Sequence, residues 1–225
     1  IWVDNTVYDI KNPPHTNNHA FSKLLLNGIL CSTASLVAKV DHGSFDVIGD
    51  ATEGALLLMA HEAGFIPELI RNVWKTTDEI PFHAVYKRMS VIVTDGKNKF
   101  VFTKGSPESI LSISSHILIG NKPIPLSPHY MSQIAGEFER FARKGLRIIA
   151  FSYKENDGSD LEKNQVFLGF VGIADPVREE VKDAVKKCQE AGIKVIMITG
   201  DNPFTAEAIG IETGIIQEGE DIITG

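Results

Sequence analysis

Arg88-Met89-Ser90-Val91-Ile92-Val93-Thr94-Asp95-Gly96-Lys97-Asn98-Lys99-Phe100-Val101-Phe102-Thr103-Lys104 holds two β-rich runs, 88–95 and 99–104, joined around Asp95-Gly96. β-Branched and aromatic residues suit a pleated strand, and Asp-Gly between two such runs is hairpin turn chemistry. An antiparallel hairpin is therefore predicted. On either side, helices and strands mix without steady alternation. Residues 21–30 and 52–63 are apolar enough for buried helices, and 131–143 also reads as a helix. Residues 146–153 and 166–173 read as strands. Hairpin-like strands with helices set to the side give an α+β domain with an antiparallel sheet flanked by helices.

The far end reads differently. Val177, Val181, Ala184, Val185, Cys188 and Ala191 recur at helical spacing behind Glu179 and Glu180, and Gly192 suits the closing turn. Ile193-Lys194-Val195-Ile196-Met197-Ile198 is then expected as a strand buried on both faces, followed by the loop Thr199-Gly200-Asp201-Asn202. Asn202 and Pro203 open a further helix that runs to Gly214, and Ile215-Ile216 could start another strand. Strand, loop and helix in that order form part of a doubly wound, Rossmann-type α/β sheet. Ala174-Asp175-Pro176 separates the two bodies, and the charge divides there too. From Phe170 onward eleven acids face five bases, a net of −6, whereas the preceding part carries −1.

Composition narrows the function. The 225 residues include 43% apolar and 23% charged side chains, which excludes a disordered or low-complexity chain. The net charge of −7 argues against a nucleic-acid partner. Two cysteines, Cys31 and Cys188, make no disulfide framework and fit a reducing compartment. No apolar run approaches the roughly 20 residues of a membrane-spanning helix. The opening Ile1-Trp2-Val3 reads as a cut within a longer protein.

Four strips carry chemistry: Gly49-Asp50-Ala51-Thr52-Glu53-Gly54-Ala55-Leu56, Pro81-Phe82-His83-Ala84-Val85-Tyr86-Lys87-Arg88-Met89-Ser90, Phe102-Thr103-Lys104-Gly105-Ser106-Pro107-Glu108 and Lys144-Gly145-Leu146-Arg147. They supply a ring, a carboxylate and cations from separate segments, the parts a nucleotide site needs. Each also has a structural reading. Glu53 three residues after Asp50 fits a capping box, and Phe82 fits a core aromatic. Lys87 and Arg88 fit a solvated strand edge, Lys104-Gly105 a strand end, and Arg147 a water-facing strand residue. In the second body, Thr199, Gly200 and Asp201 occupy the loop where open α/β sheets place their active sites, and a carboxylate there can hold Mg²⁺ or steer a phosphoryl group. No phosphate-binding P-loop, dinucleotide fingerprint or serine-hydrolase elbow is present.

In order and wording these strips, with Asp175-Pro176-Val177-Arg178 and Met197-Ile198-Thr199-Gly200-Asp201-Asn202, resemble the cytosolic head of P-type cation-transporting ATPases, nearest to the calcium-pump-like group. The resemblance implies a nucleotide-binding domain over 1–172 and part of a haloacid-dehalogenase-like phosphorylation domain over 173–225. It implies ATP and Mg²⁺ as cofactors, with Phe82 stacking on adenine, Glu53 near its amino group, and Lys104 with Gly105 at the pocket base. Lys87 and Arg147 would approach the phosphates, with Asp175 and Arg178 at the hinge. Thr199, Gly200 and Asp201 would surround the γ-phosphate. The parent would be an integral membrane pump, this chain its cytoplasmic portion, and its partners the transmembrane and actuator domains of the same polypeptide.

The family's acceptor motif Asp-Lys-Thr-Gly-Thr and its later Gly-Asp-Gly-x-Asn-Asp are absent from the 225 residues. The chain is thus expected to bind ATP without catalysing transfer. Residues 83–86, His-Ala-Val-Tyr, replace charged residues common in related pumps, so weaker nucleotide binding is expected. The alternatives are a stand-alone nucleotide-binding module or a soluble phosphatase of the dehalogenase-like class. The latter needs an Asp-x-Asp-type nucleophile loop of its own, and none follows an N-terminal strand.

Overall fold

The computed structural model describes residues 1–39, 45–156, 158, 160–174, 177–200, 202–217, 219–220 and 222–223. In chain order the elements are β1 (Trp2–Val3), β2 (Thr6–Val7), α1 (His19–Leu30), β3 (Ser35–Ala38), β4 (Phe45–Ile48), α2 (Ala51–Glu62), α3 (Pro67–Val73), β5 (Lys75–His83), β6 (Arg88–Thr94) and β7 (Lys99–Gly105). Then come α4 (Pro107–Ile113), β8 (Ser114–Ile119), β9 (Lys122–Pro125), α5 (Pro128–Ala142), β10 (Arg147–Glu155), β11 (Gln165–Ile173), α6 (Glu179–Glu190) and α7 (Pro203–Thr213). Two compact units result, one of Ile1–Pro128 with Ile149–Val171, the other of His129–Ile148 with Gly172–Gly225.

The first unit is built on a sheet in the order β2-β1-β11-β10-β7-β6-β5, with β8 parallel to β11 and β9 beyond it. The predicted hairpin is β6–β7, paired antiparallel from Arg88↔Gly105 to Thr94↔Lys99. Its turn is closed by the Asp95 carboxylate, which accepts the N–H groups of Asn98 (2.7 Å) and Lys97 (2.9 Å), while Gly96 takes φ +90°. Those bonds, led by the Asn98 amide, lower the Asp95 pKa to about 2. Trp2, Phe21, Phe102, Phe151, Phe167 and Phe170 are fully buried, and Trp2 stacks on Phe170 at 5.4 Å. Helix α1 presents Phe21, Leu24, Leu25 and Ile29 to this core. It is anchored by the buried amide of Asn27, which donates to the carbonyls of Thr103 and Ser152 on the central strands β7 and β10.

One face of the sheet carries a polar ladder. The hydroxyls of Ser90 and Thr103 lie 2.9 Å apart, and Gln165 ties Thr103 (2.8 Å) to Ser152. Cross-strand partners share a face and successive residues alternate. Met89, paired with Lys104, therefore lies on the opposite face from Ser90, paired with Thr103.

In the second unit α5, α6 and α7 form as predicted from their apolar spacing. Asn202 caps α7 by accepting the Phe204 amide, and Gly214 closes it at φ +77°. Thr205 donates to the Leu146 carbonyl at 3.2 Å, and the Arg143 guanidinium lies over the Phe204 ring. The expected strand over 193–198 does not form, nor does one at Ile215-Ile216. Ile196 and Ile198 are 71% and 95% exposed rather than buried. A central strand needs a neighbour for its amides and carbonyls and a layer over each face. Among the described residues no strand lies beyond Ile173 to supply either.

Candidate functional site

The site is assembled where α1 ends and α2 begins. Asp50, in extended conformation, caps α2 by accepting the Glu53 amide at 3.0 Å. A capping-box glutamate would turn back to the amide of Asp50. Glu53 instead reaches outward. Its Oε2 accepts the Thr33 N–H (2.8 Å), the Thr33 hydroxyl (3.0 Å) and the Ala34 N–H (3.0 Å), and its Oε1 accepts Lys104 Nζ at 2.7 Å. Lys104, at the end of β7, also donates to the Ser32 hydroxyl at 3.2 Å. The two side chains are 10% and 13% exposed, Lys104 the deeper. Burial alone would raise the Glu53 pKa, but the Lys104 ammonium and the Thr33 and Ala34 amides outweigh it and hold the carboxyl below its ordinary value. Beside the pair, Cys31 is fully buried, and burial raises its thiol pKa to about 12.

The second strip enters from the edge strand. β5 pairs Ile80 with Ser90 and His83 with Arg88, so three steps on β5 match two on β6. The extra residue of this bulge leaves Pro81 and Phe82 together opposite Met89, whose other neighbour is Lys104. Phe82 is thus two inter-strand spacings, about 10 Å, from Lys104. Phe82 is 62% exposed, which overturns the core-aromatic reading. Lys87 lies in the turn between β5 and β6, exposed, at φ +49°. Gly105 explains the glycine of the third strip. A Cβ there would sit 2.4 Å from the Lys87 carbonyl oxygen, and the next residue, Ser106, donates its amide to that same oxygen at 2.9 Å. One unit therefore gathers Glu53, Lys104, Gly105, Phe82 and Lys87.

The remaining expected site residues belong to the second unit. Arg147 is exposed at the start of β10, and Arg178 is exposed at the N-cap of α6 without a capping side-chain bond. Thr199 and Gly200 lie in exposed, non-regular chain before α7. Asp175 and Asp201 fall outside the described residues. A groove between residues 11–16 and Glu62 contains none of the site residues.

The family model described as P-type ATPase, cytoplasmic domain N matches residues 20–180. The chain belongs to this family. It is 34% identical to calcium-transporting ATPase 1 of Bacillus cereus over 100% of its own length and 25% of that protein's. It is 35% identical to the endoplasmic reticulum calcium ATPase srcA of Aspergillus fumigatus over 86% of its own length, and 36% identical to the cation-transporting ATPase pma1 of Synechocystis over 98%, in each case covering 24% of the relative. The chain thus spans about a quarter of the length of these relatives. The antiparallel sheet flanked by helices fits a domain N.

Two residues that brace this unit escape the sequence. The Arg71 guanidinium donates to the carbonyls of Ile29 (3.0 Å), Ser32 (2.8 Å) and Ala34 (3.0 Å), while Glu53 takes the amides of Thr33 and Ala34. The segment after α1 is thereby gripped on both polar edges. Glu162 pairs with Arg88 at 2.8 Å, so Arg88 is no solvated edge. Neither stands in a strip of recognisable wording. Among the described residues no group of three or more His, Cys, Asp or Glu is placed to hold a metal, and no helix is long and apolar enough to cross a membrane.

Proposed function

We propose that the chain is the ATP-holding portion of a P-type pump that moves a cation, Ca²⁺, across a membrane by way of an aspartyl-phosphate. In this reading residues 1–172 form the nucleotide-binding domain and residues 173–225 part of a haloacid-dehalogenase-like phosphorylation domain. The observation that carries it is the Glu53–Lys104 pair at the end of β7, with the exposed ring of Phe82 two strands away. The residues present suit a purine nucleotide. Phe82 offers a π-face to the base. Glu53 Oε2 already collects three donors, but Oε1 takes only Lys104 and keeps a lone pair for an exocyclic amine. Lys104 and Gly105 form the floor, and Lys87 and Arg147 supply exposed cations for the phosphates. When bound, ATP supplies the γ-phosphoryl group. Thr199, Gly200 and Asp201 would surround it, the Asp201 carboxylate helping to hold Mg²⁺ or to steer the transfer, with Asp175 and Arg178 at the hinge. The ion follows from relatives named as calcium-transporting ATPases. The partners are the transmembrane and actuator domains of the same polypeptide, and this portion is cytoplasmic.

The test is an ATP titration of the 225-residue chain followed by amide NMR. Shifts centred on Glu53, Phe82 and Lys104 are expected. Radiolabelled ATP should leave no acid-stable, hydroxylamine-sensitive adduct, because the acceptor motif is absent from the sequence. No shifts at those residues, or a labelled adduct, would overturn the reading.

A further inference from the structure

Arg88, next to the exposed Lys87, has the chemistry of a second phosphate contact, but its geometry assigns it elsewhere. Its Nε and Nη2 both donate to Glu162 Oε2, at 3.0 and 2.8 Å, and its Nη1 donates to the Ser109 hydroxyl at 3.2 Å. The other Glu162 oxygen accepts the Ser90 hydroxyl at 2.8 Å. The ion pair is largely enclosed, with 15% and 18% of the two side chains exposed. It also lies on the Ser90–Thr103 face of the sheet, opposite the face of Lys104.

The pair reaches the turn that carries Lys87. Ser109, bonded to Arg88, donates its hydroxyl proton to the Tyr86 carbonyl, and the Arg88 guanidinium lies 5.2 Å from the Tyr86 ring centre. The Lys87 amide donates to His83 O at 2.7 Å, and the Lys87 carbonyl is taken by Ser106. Lys87 itself holds φ +49°, a conformation that a non-glycine residue keeps only where its surroundings enforce it. We propose that Arg88 and Glu162 are positioning residues: the clamp they form with Ser109 holds the Lys87 turn in the shape that presents its ammonium to the phosphates of a nucleotide. The inference rests on the nucleotide reading above and names what sets that end of the site.

The test compares ATP and adenosine binding by calorimetry to the wild-type chain, Glu162→Gln and Arg88→Lys, with thermal unfolding as a check on folding. Loosening the clamp should weaken ATP about tenfold and adenosine less than twofold, because only the phosphate end depends on Lys87. In Glu162→Gln, replacing Lys87 with Ala should then cost no further ATP affinity. If Arg88 were a phosphate contact, freeing it in Glu162→Gln would leave ATP binding unchanged or tighter, and that result overturns the proposal. Equal weakening of ATP and adenosine in a folded variant reduces the pair to scaffolding and also overturns it. Should Glu162→Gln fail to fold, Arg88→Lys carries the same comparison. A wild-type chain that binds neither ligand would instead sink the nucleotide reading beneath it.

Discussion

Lys104 Nζ lies 2.7 Å from Glu53 Oε1, joining the end of a central strand to the first turn of a helix 51 residues earlier in the chain. The partners are unequally dependent on one another. Glu53 keeps three donors from Thr33 and Ala34 if the lysine is lost, whereas Lys104 keeps only the Ser32 hydroxyl if the glutamate is lost. Glu53→Ala should therefore destabilise the chain by about 3–5 kcal/mol, as expected for an enclosed charge left unpaired. Lys104→Met should cost less, about 1–3 kcal/mol. Urea unfolding gives the order, and the reverse order would mean that Lys104, not Glu53, organises the corner.

The depressed Glu53 pKa makes stability depend on pH in a set direction. The unfolded chain binds the proton more tightly than the folded one, so stability rises with pH across that window. The contribution is complete above the ordinary glutamate value of about 4.3 and is lost as pH falls through the lower folded value. Asp95 and Asp160 are also depressed and add to the acid limb. The difference between wild type and Glu53→Gln isolates the Glu53 part. Parallel stability–pH curves for the two proteins would contradict the assignment.

Gly105→Ala places a methyl group 2.4 Å from the Lys87 carbonyl oxygen, which the Ser106 amide holds in place. A loss of about 1–3 kcal/mol is expected, as for other forced overpacking. In amide spectra the disturbance should centre on residues 84–88. A neutral substitution would show that the turn yields freely.

Phe82→Ala separates binding from folding. Phe82, 62% exposed as a residue, contributes little to the core, so unfolding should shift by no more than about 0.5 kcal/mol. ATP binding should fall by about 1–3 kcal/mol if the ring stacks on the base. Calorimetry beside a denaturation curve reads both, and a large stability loss with unchanged affinity would return Phe82 to a structural role.

The cysteines should react very differently. Cys31 is fully buried with its thiol pKa raised to about 12, whereas Cys188 is half-exposed on α6. A disulfide reagent at neutral pH should therefore modify one thiol rapidly and the second only after denaturation. Rapid modification of both would mean that the corner around Glu53 opens in the native protein.

Where local chemistry and tertiary demand agreed, the elements were legible. The Asp95-Gly96 hairpin, α1, α2, α5, α6 and α7 all lie within a few residues of their expected limits. β5 was not legible, because its nine residues are all exposed and two bulges break the alternation that marks a strand. The 193–198 run failed for the opposite reason. Its composition is that of a central strand, but a central strand is made by its neighbours. At the site, Glu53, Lys104, Gly105, Phe82 and Lys87 came from the wording of the strips. Arg71 and Glu162 act by touching backbone or a second side chain across 37 to 74 residues of chain, a relationship that linear spacing does not record.

The bare Ile193-Lys194-Val195-Ile196-Met197-Ile198 stretch has a practical consequence for anyone handling the molecule. It is rich in β-formers, has a single charge and no proline, and offers greasy side chains to any chain that drifts alongside. This stretch limits the colloidal lifetime at high concentration, and a second lysine at Ile196 is the simplest way to lengthen it.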